Sequence, residues 1–268
     1  GVIGGTIPGI PTIIAGRSPH IGWGISASYA DDQDLYAEEI SESDGDMYRS
    51  LDGWKKFKTE ETIIQIKGEP SKKIRLRWSE NGPILNKNTS QISDITPPNH
   101  EMALSWTMLS PKDTSMSALI NLTYSKDLAT ALKTLEKHVA PSLNYTIIDR
   151  ENLALQLAGK LPKRNKDHNT QGRLPSFGYI EKNRWLGYNP YDTNPRFINP
   201  KSGLIANTNN KVLDEFFPNH ISYDWGDSQR IERLTRLMES RKVHTRESFI
   251  EAQLDTVSFP AKSLLPII

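Results

Sequence analysis

The chain has 268 residues with 33 basic and 32 acidic side chains, a formal net charge of +1. That near-balance excludes the broad basic field through which proteins hold nucleic acid or anionic lipid. Cysteine is absent, which excludes disulfides, thiolate nucleophiles and zinc–thiolate centres, and no apolar run approaches the roughly 20 residues that cross a bilayer.

Residues 1–26 are rich in Gly, Pro, Ile and Ala. Ile13-Ile14-Ala15 and Ile21 to Ala27 read as short buried strands joined by the turn Gly16-Arg17-Ser18-Pro19. Leu35 to Ile40 continues as a strand, and Asp44-Gly45-Asp46 and Leu51-Asp52-Gly53 are turns. Thr62 to Lys67 and Lys73 to Trp78 alternate apolar with polar residues on either side of Gly68-Glu69-Pro70, the pattern of an antiparallel hairpin. Asn81-Gly82-Pro83 is a turn, residues 86–100 a polar loop, and Glu101 to Trp106 a strand. Leu128, Ala131, Leu132 and Leu135 fall on one face of a helix that runs to His138. At the end of that helix His138 reads as a cap or dipole residue. Tyr145 to Asp149 and Leu153 to Leu157 form another strand pair. Residues 159–200 are loop-rich, Leu204 to Asn207 is a short strand, and Ser228 to Met238 is a helix. Thr245 caps a last helix from residue 246 to about residue 255. The sum is α+β, mainly antiparallel strands with segregated helices, in a single region of residues 1–268 without a linker.

Three segments, in order, resemble the penicillin acylase family: Pro8-Gly9-Ile10-Pro11 through Gly22-Trp23-Gly24-Ile25-Ser26-Ala27; Asp31-Asp32-Gln33-Asp34-Leu35-Tyr36-Ala37-Glu38; and Asn199-Pro200 through Asn207-Thr208-Asn209-Asn210, followed by Gln229-Arg230-Ile231. Weaker similarity lies at Asn81-Gly82-Pro83 and at Asn144-Tyr145 with Asp149. The resemblance implies a partial four-layer αββα sandwich of the N-terminal-nucleophile hydrolase type, and an internal piece of the β-subunit. In such enzymes a precursor cleaves itself, and the newly exposed Ser attacks an amide carbonyl. Its own α-amine takes the proton through a water; such an amine titrates at about pH 8, so it can act as a base at neutral pH. The expectation is that this Ser stands a few dozen residues before Gly1. The α-subunit and the rest of the β-subunit would also lie outside the chain, which would then be inactive alone. The apolar ends, Gly1-Val2-Ile3 and Pro266-Ile267-Ile268, fit a cut piece or a trimmed boundary. A periplasmic or secreted setting is implied, and no organic cofactor.

The resemblance assigns oxyanion stabilisation to the backbone N–H of Ala27 and the side-chain amide of Asn209. An Asn suits that role because its NH₂ donates without a charge or a proton to lose. On the residues alone, Asn207, Asn209 and Asn210 can equally satisfy backbone groups at a strand end. Arg230 matches an Arg that orders the Asn and the substrate; read from its helix, it is a surface residue paired with Glu232 or Glu215. Ile25 and Leu143 map to the acyl pocket, or are plain core. Asp31, Asp32, Gln33 and Asp34 form the one carboxylate cluster with ligand spacing. The resemblance gives Asp31, the backbone of Gln33, and Asp34 to a structural Ca²⁺ of the intact enzyme, with further ligands from near Gly172 and Asn219 and from the α-subunit. A solvated acidic turn is the alternative.

None of the six His sits in an HExxH motif, and no GxSxG elbow is present. The basic stretch Lys160, Lys163, Arg164, Lys166 and Arg173 lacks interleaved aromatics that stack bases and reads as a solvated loop. The expected partners are a small amide substrate, such as a β-lactam side-chain amide or an N-acyl homoserine lactone, and the remaining subunit segments. Nucleic acid and a membrane span are not expected. A reading of another class is a non-catalytic acylase-like scaffold that binds a peptide or an acyl ligand.

Overall fold

The computed structural model describes residues 1–88, 91–214 and 216–268. Where a single region was expected, the chain divides into two compact units, each assembled from separated segments. One comprises Gly1–Ala30, Asp113–Gly159 and Pro190–Ile268; the other comprises Asp31–Lys112 and Lys160–Asn189. Each crossing occurs between adjacent residues, so no spacer marks the division in the sequence. Among the described residues no helix is long and apolar enough to cross a membrane.

The first unit is built on a six-stranded sheet in the order Ile3–Gly5, Ala15–Arg17, Gly22–Ala27, Leu143–Ile148, Leu153–Ala158, Arg196–Ile198. Every pair in it is antiparallel. Trp23 lies opposite Ile147 and Ile25 opposite Tyr145. The period-two alternation therefore puts these four side chains on one face. That face packs against the Ser115–Leu122 and Leu128–Leu135 helices. The second helix buries Leu128, Ala131, Leu132 and Leu135, the apolar stripe read from the sequence. A fully buried leucine such as Leu135 contributes about 1.5–3 kcal/mol. Asp127 starts this helix with a capping box: its carboxylate accepts the Thr130 N–H at 2.7 Å, and the Thr130 hydroxyl accepts the Asp127 N–H at 3.2 Å.

The helix stops at Leu135, short of His138. His138 is buried, with a ring nitrogen 2.7 Å from the Pro141 carbonyl and its ring edge-on to Tyr145 at 5.6 Å. Burial pushes its pKa down, so His138 packs as a neutral ring and does not serve as a cation at a helix end. Leu204–Asn207, expected as a strand, finds no ladder partner among the described residues and stays irregular. The Gln229–Glu239 and Arg246–Gln253 helices form as expected, and Thr245 caps the latter through the Ser248 N–H at 3.3 Å.

In the second unit the Gln33–Glu39 strand lies between His100–Trp106, antiparallel, and Ser176–Phe177, parallel. Tyr36, Ala37, Met102 and Ala103 are buried there. The expected hairpin forms from Lys58–Ile64 and Lys72–Ser79, yet most of its residues are exposed. The first Asp-Gly turn leads into a further small pair, Met47–Ser50 with Gly53–Lys56, and Leu51-Asp52 joins its two strands. Glu38 is fully buried, and its Oε1 accepts from Ser79 Oγ at 2.6 Å and Asn81 Nδ2 at 2.8 Å.

Candidate active site

Ala27 ends the Gly22–Ala27 strand, opposite Leu143. On this strand the neighbouring Ala15–Arg17 strand reaches Gly22 and Trp23 and goes no further, which leaves the far end with an open edge among the described residues. Asn209 occupies it: its Nδ2 donates to the Ala27 carbonyl at 3.0 Å. In an extended strand the N–H and C=O of one residue point to the same edge. The Ala27 N–H therefore faces the side on which the Asn209 amide lies.

Several contacts hold Asn209 in place. Its backbone is left-handed, φ 68°, a conformation that Asn tolerates better than most residues. The Asn209 N–H donates to Asn207 Oδ1 at 3.2 Å, and the Ser26 hydroxyl donates to the same oxygen. The Asn209 carbonyl accepts the Gly226 N–H at 3.2 Å; a Cβ on Gly226 would stand 2.7 Å from that oxygen, so only glycine permits the approach. Arg230, the second residue of the Gln229–Glu239 helix, donates to Asn209 Oδ1 at 3.1 Å. A guanidinium only donates, so this contact fixes the amide: oxygen to Arg230, NH₂ to Ala27. One Nδ2 hydrogen remains for another acceptor.

The structure thus brings Ala27, Asn209 and Arg230 together. Of the ion-pair partners read from the helix alone, Glu232 instead accepts from Ser228 Oγ at 2.8 Å, and Glu215 lies outside the described residues. Ile25 and Leu143 are diagonal neighbours on one face, partly buried against the hydrophobic core. Asn207 ties Ser26 to Asn209, a positioning role that the sequence signalled only by proximity. Asn210 accepts the Thr208 N–H at 3.0 Å, closing the turn that carries Asn209. A groove of about 820 Å³ borders Asn207, Leu234 and Met238 but not Ala27, Asn209 or Arg230, while one of about 460 Å³ borders Thr208 and Arg230.

The acidic segment has other company. Asp34 is almost wholly buried and is forked by Arg164, Nε to Oδ2 at 3.0 Å and NH2 to Oδ1 at 2.8 Å. The same NH2 donates to the Asp31 carbonyl at 2.9 Å, and Trp185 Nε1 donates to Asp34 Oδ2 at 2.6 Å. Gln33 lies in the ladder opposite Trp106. Asn219, expected near a cation, donates to the Thr193 carbonyl at 3.4 Å. Donors crowd the oxygens on which a cation would rely, so these residues do not fit Ca²⁺. Arg164 also departs from the solvated-loop reading, since its side chain is only 6% exposed.

Comparison with known proteins follows the same lines. Residues 1–268 match the family model described as penicillin amidase. The acyl-homoserine lactone acylase QuiP of Pseudomonas aeruginosa is 26% identical over 265 residues, covering 97% of this chain and 31% of the relative. The penicillin G acylase of Escherichia coli is 26% identical over 242 residues, covering 90% of this chain and 27% of the relative. The chain thus spans about a third of the length of these curated relatives. A solved thermostable penicillin G acylase from Alcaligenes faecalis superposes with a TM-score of 0.81 at 22% identity, over 94% of this chain and 44% of that one. That likeness shows the fold, α+β of the N-terminal-nucleophile hydrolase type. With a family model matched from the first residue to the last, the chain belongs to the penicillin amidase family.

Proposed function

We propose that the protein containing this chain is an acylase that hydrolyses a linear carboxamide to a carboxylic acid and an amine. The observation that carries the reading is the run of hydrogen bonds Arg230–Asn209–Ala27 at an open strand edge. Amide hydrolysis passes through a tetrahedral oxyanion, and donors aimed in advance at that oxygen lower the barrier. The remaining Nδ2 hydrogen of Asn209 and the Ala27 N–H are the two donors. Arg230 is a positioning residue that keeps the amide from flipping. The nucleophile is an N-terminal Ser outside these residues, with its α-amine as base, and the acyl-enzyme it forms is released by water. Ile25 and Leu143 contribute to the wall of the acyl pocket. Exclusion of water from the exposed donors is left to the substrate and to the rest of the polypeptide, including the α-subunit and the remainder of the β-subunit.

The relatives act, by their names, on acyl-homoserine lactones and penicillin G. Both are linear amides on a ring-bearing amine, and we take that class as the substrate. A periplasmic or secreted setting fits it. The test uses the full-length product purified from its own cells. Intact mass and N-terminal sequencing should find two chains, the larger beginning with Ser. That material should release carboxylic acid from an N-acyl homoserine lactone or from penicillin G, and Asn209→Ala should not. A single unprocessed chain without hydrolysis would favour a ligand-binding scaffold.

A further inference from the structure

We propose that Arg164 is the resident cation of the Asp31–Asp34 segment, a covalent replacement for a structural calcium ion, so that the folded protein neither holds nor needs Ca²⁺ there. The Asp34 side chain is 1% exposed, and a carboxylate taken that far from water requires a positive partner. Arg164 supplies one in the geometry that suits a guanidinium best, two parallel N–H bonds to the two carboxylate oxygens.

Its third bond reaches the Asp31 carbonyl, the kind of hard oxygen that Ca²⁺ prefers. Calcium would stand about 2.3–2.6 Å from such oxygens. The guanidinium nitrogens already stand 2.8–3.0 Å from the same atoms, so ion and guanidinium cannot share the place. Trp185 Nε1–H occupies a further lone pair of Asp34, and an N–H has nothing to offer a cation.

The loop is shaped to the guanidinium as well. Gly172 has φ +81°, and a Cβ there would lie 2.7 Å from Arg164 Nε and 2.6 Å from Asp34 Oδ1. Only a glycine lets the backbone close over the pair. Among the described residues no group of three or more His, Asp or Glu is arranged to take a metal. Arg164 and Asp34 are 130 residues apart in the chain, so the pair fastens the 160–189 segment to the Gln33–Glu39 strand. A calcium ion doing that work could be stripped by a chelator; a side chain cannot.

The test is metal analysis and thermal unfolding of the full-length protein. The expected result is less than 0.1 (about zero) equivalent of calcium after desalting, and the same melting temperature in EGTA as in millimolar Ca²⁺. Bound calcium near one equivalent, with a melting temperature that drops in EGTA, overturns the proposal. Arg164→Met, which keeps the apolar stem and removes the charge, should lower the melting temperature in EGTA by about 5 °C or more. A wild-type melting temperature for that variant also overturns it. If the variant does not fold, the wild-type comparison in EGTA and Ca²⁺ still decides.

Discussion

Arg230 and Arg164 each donate to an oxygen on a distant segment, but they leave different things behind. Arg230 is exposed, makes one bond to Asn209 Oδ1, and leaves an amide hydrogen of that residue uncommitted. Arg164 is buried and makes three bonds to Asp34 and Asp31, with Trp185 adding a fourth donor. The first arrangement prepares a donor for an acceptor that is not part of these residues. The second satisfies its own groups and offers nothing to a ligand. On the proposed function, the open and oriented amide serves the reaction, whereas the closed and buried ion pair fastens two segments.

Substitutions at each arginine and its partner separate the two roles. The largest effect belongs to the buried pair: removing one partner leaves a charge without compensation, a cost of about 3–5 kcal/mol. Arg164→Met should therefore destabilise strongly in thermal melts, whereas turnover per folded molecule, measured by active-site titration, should stay unchanged. Asn209→Ala should do the reverse. Loss of one oxyanion donor should lower kcat by about 10²–10³, or ~2.7–4 kcal/mol of barrier, with a melting temperature close to that of the wild type. An Asn209→Ala enzyme with normal turnover would falsify the oxyanion assignment.

Arg230→Gln comes next. The loss of one charge-assisted hydrogen bond is worth about 1.5–3 kcal/mol. The effect should fall on kcat more than on KM, because the residue orients the donor and does not hold the ground state. Arg230→Lys should recover part of it. If KM rises and kcat does not change, Arg230 touches substrate instead.

The smallest effect concerns Glu38, buried in the second unit without an arginine fork. Burial raises its pKa; hydrogen bonds from Ser79 and Asn81 oppose that rise without cancelling it. A carboxyl group whose folded pKa is raised binds more protons in the native state, so stability falls as pH climbs from the ordinary carboxylate range through the folded pKa. Oε1 takes both hydrogen bonds and Oε2 has no partner, so Gln can keep both bonds. Thermal melts of Glu38→Gln and wild type should coincide at about pH 4.5 and diverge in favour of the variant as pH rises. Parallel curves would show that Glu38 is not ionising against its burial.

Much of the local structure was legible because it rests on near neighbours. The Leu128–Leu135 stripe, the Thr245 cap and the hairpin around Gly68-Glu69-Pro70 all appear in the structure. The Ser115–Leu122 helix was not foreseen: Ala118 and Leu122 stand at helical spacing, but one such pair in eight residues is a short signal. Leu204–Asn207 has strand-like composition, yet a strand exists only where a ladder partner is present.

At the candidate site, the family resemblance pointed to Asn209, Ala27 and Arg230; the residues alone read equally well as Asn side chains satisfying a strand end and an Arg on a helix surface. By themselves those residues could not tell which way the Asn209 amide faces, because its orientation depends on Arg230, 21 residues onward. The acidic segment was the harder case. Asp31 to Asp34 has the composition of a cation site, and composition is all that a local reading sees. Whether those oxygens meet a metal ion or a guanidinium is decided by a residue 130 positions away in a loop that reads as solvated. The helix stripes, the Thr245 cap and most turns are set locally, since they follow from side-chain chemistry over a few residues. Which polar groups are left open and which are closed is settled by folding, because a hydrogen bond or an ion pair is a property of two segments that the chain brings together only in the native state.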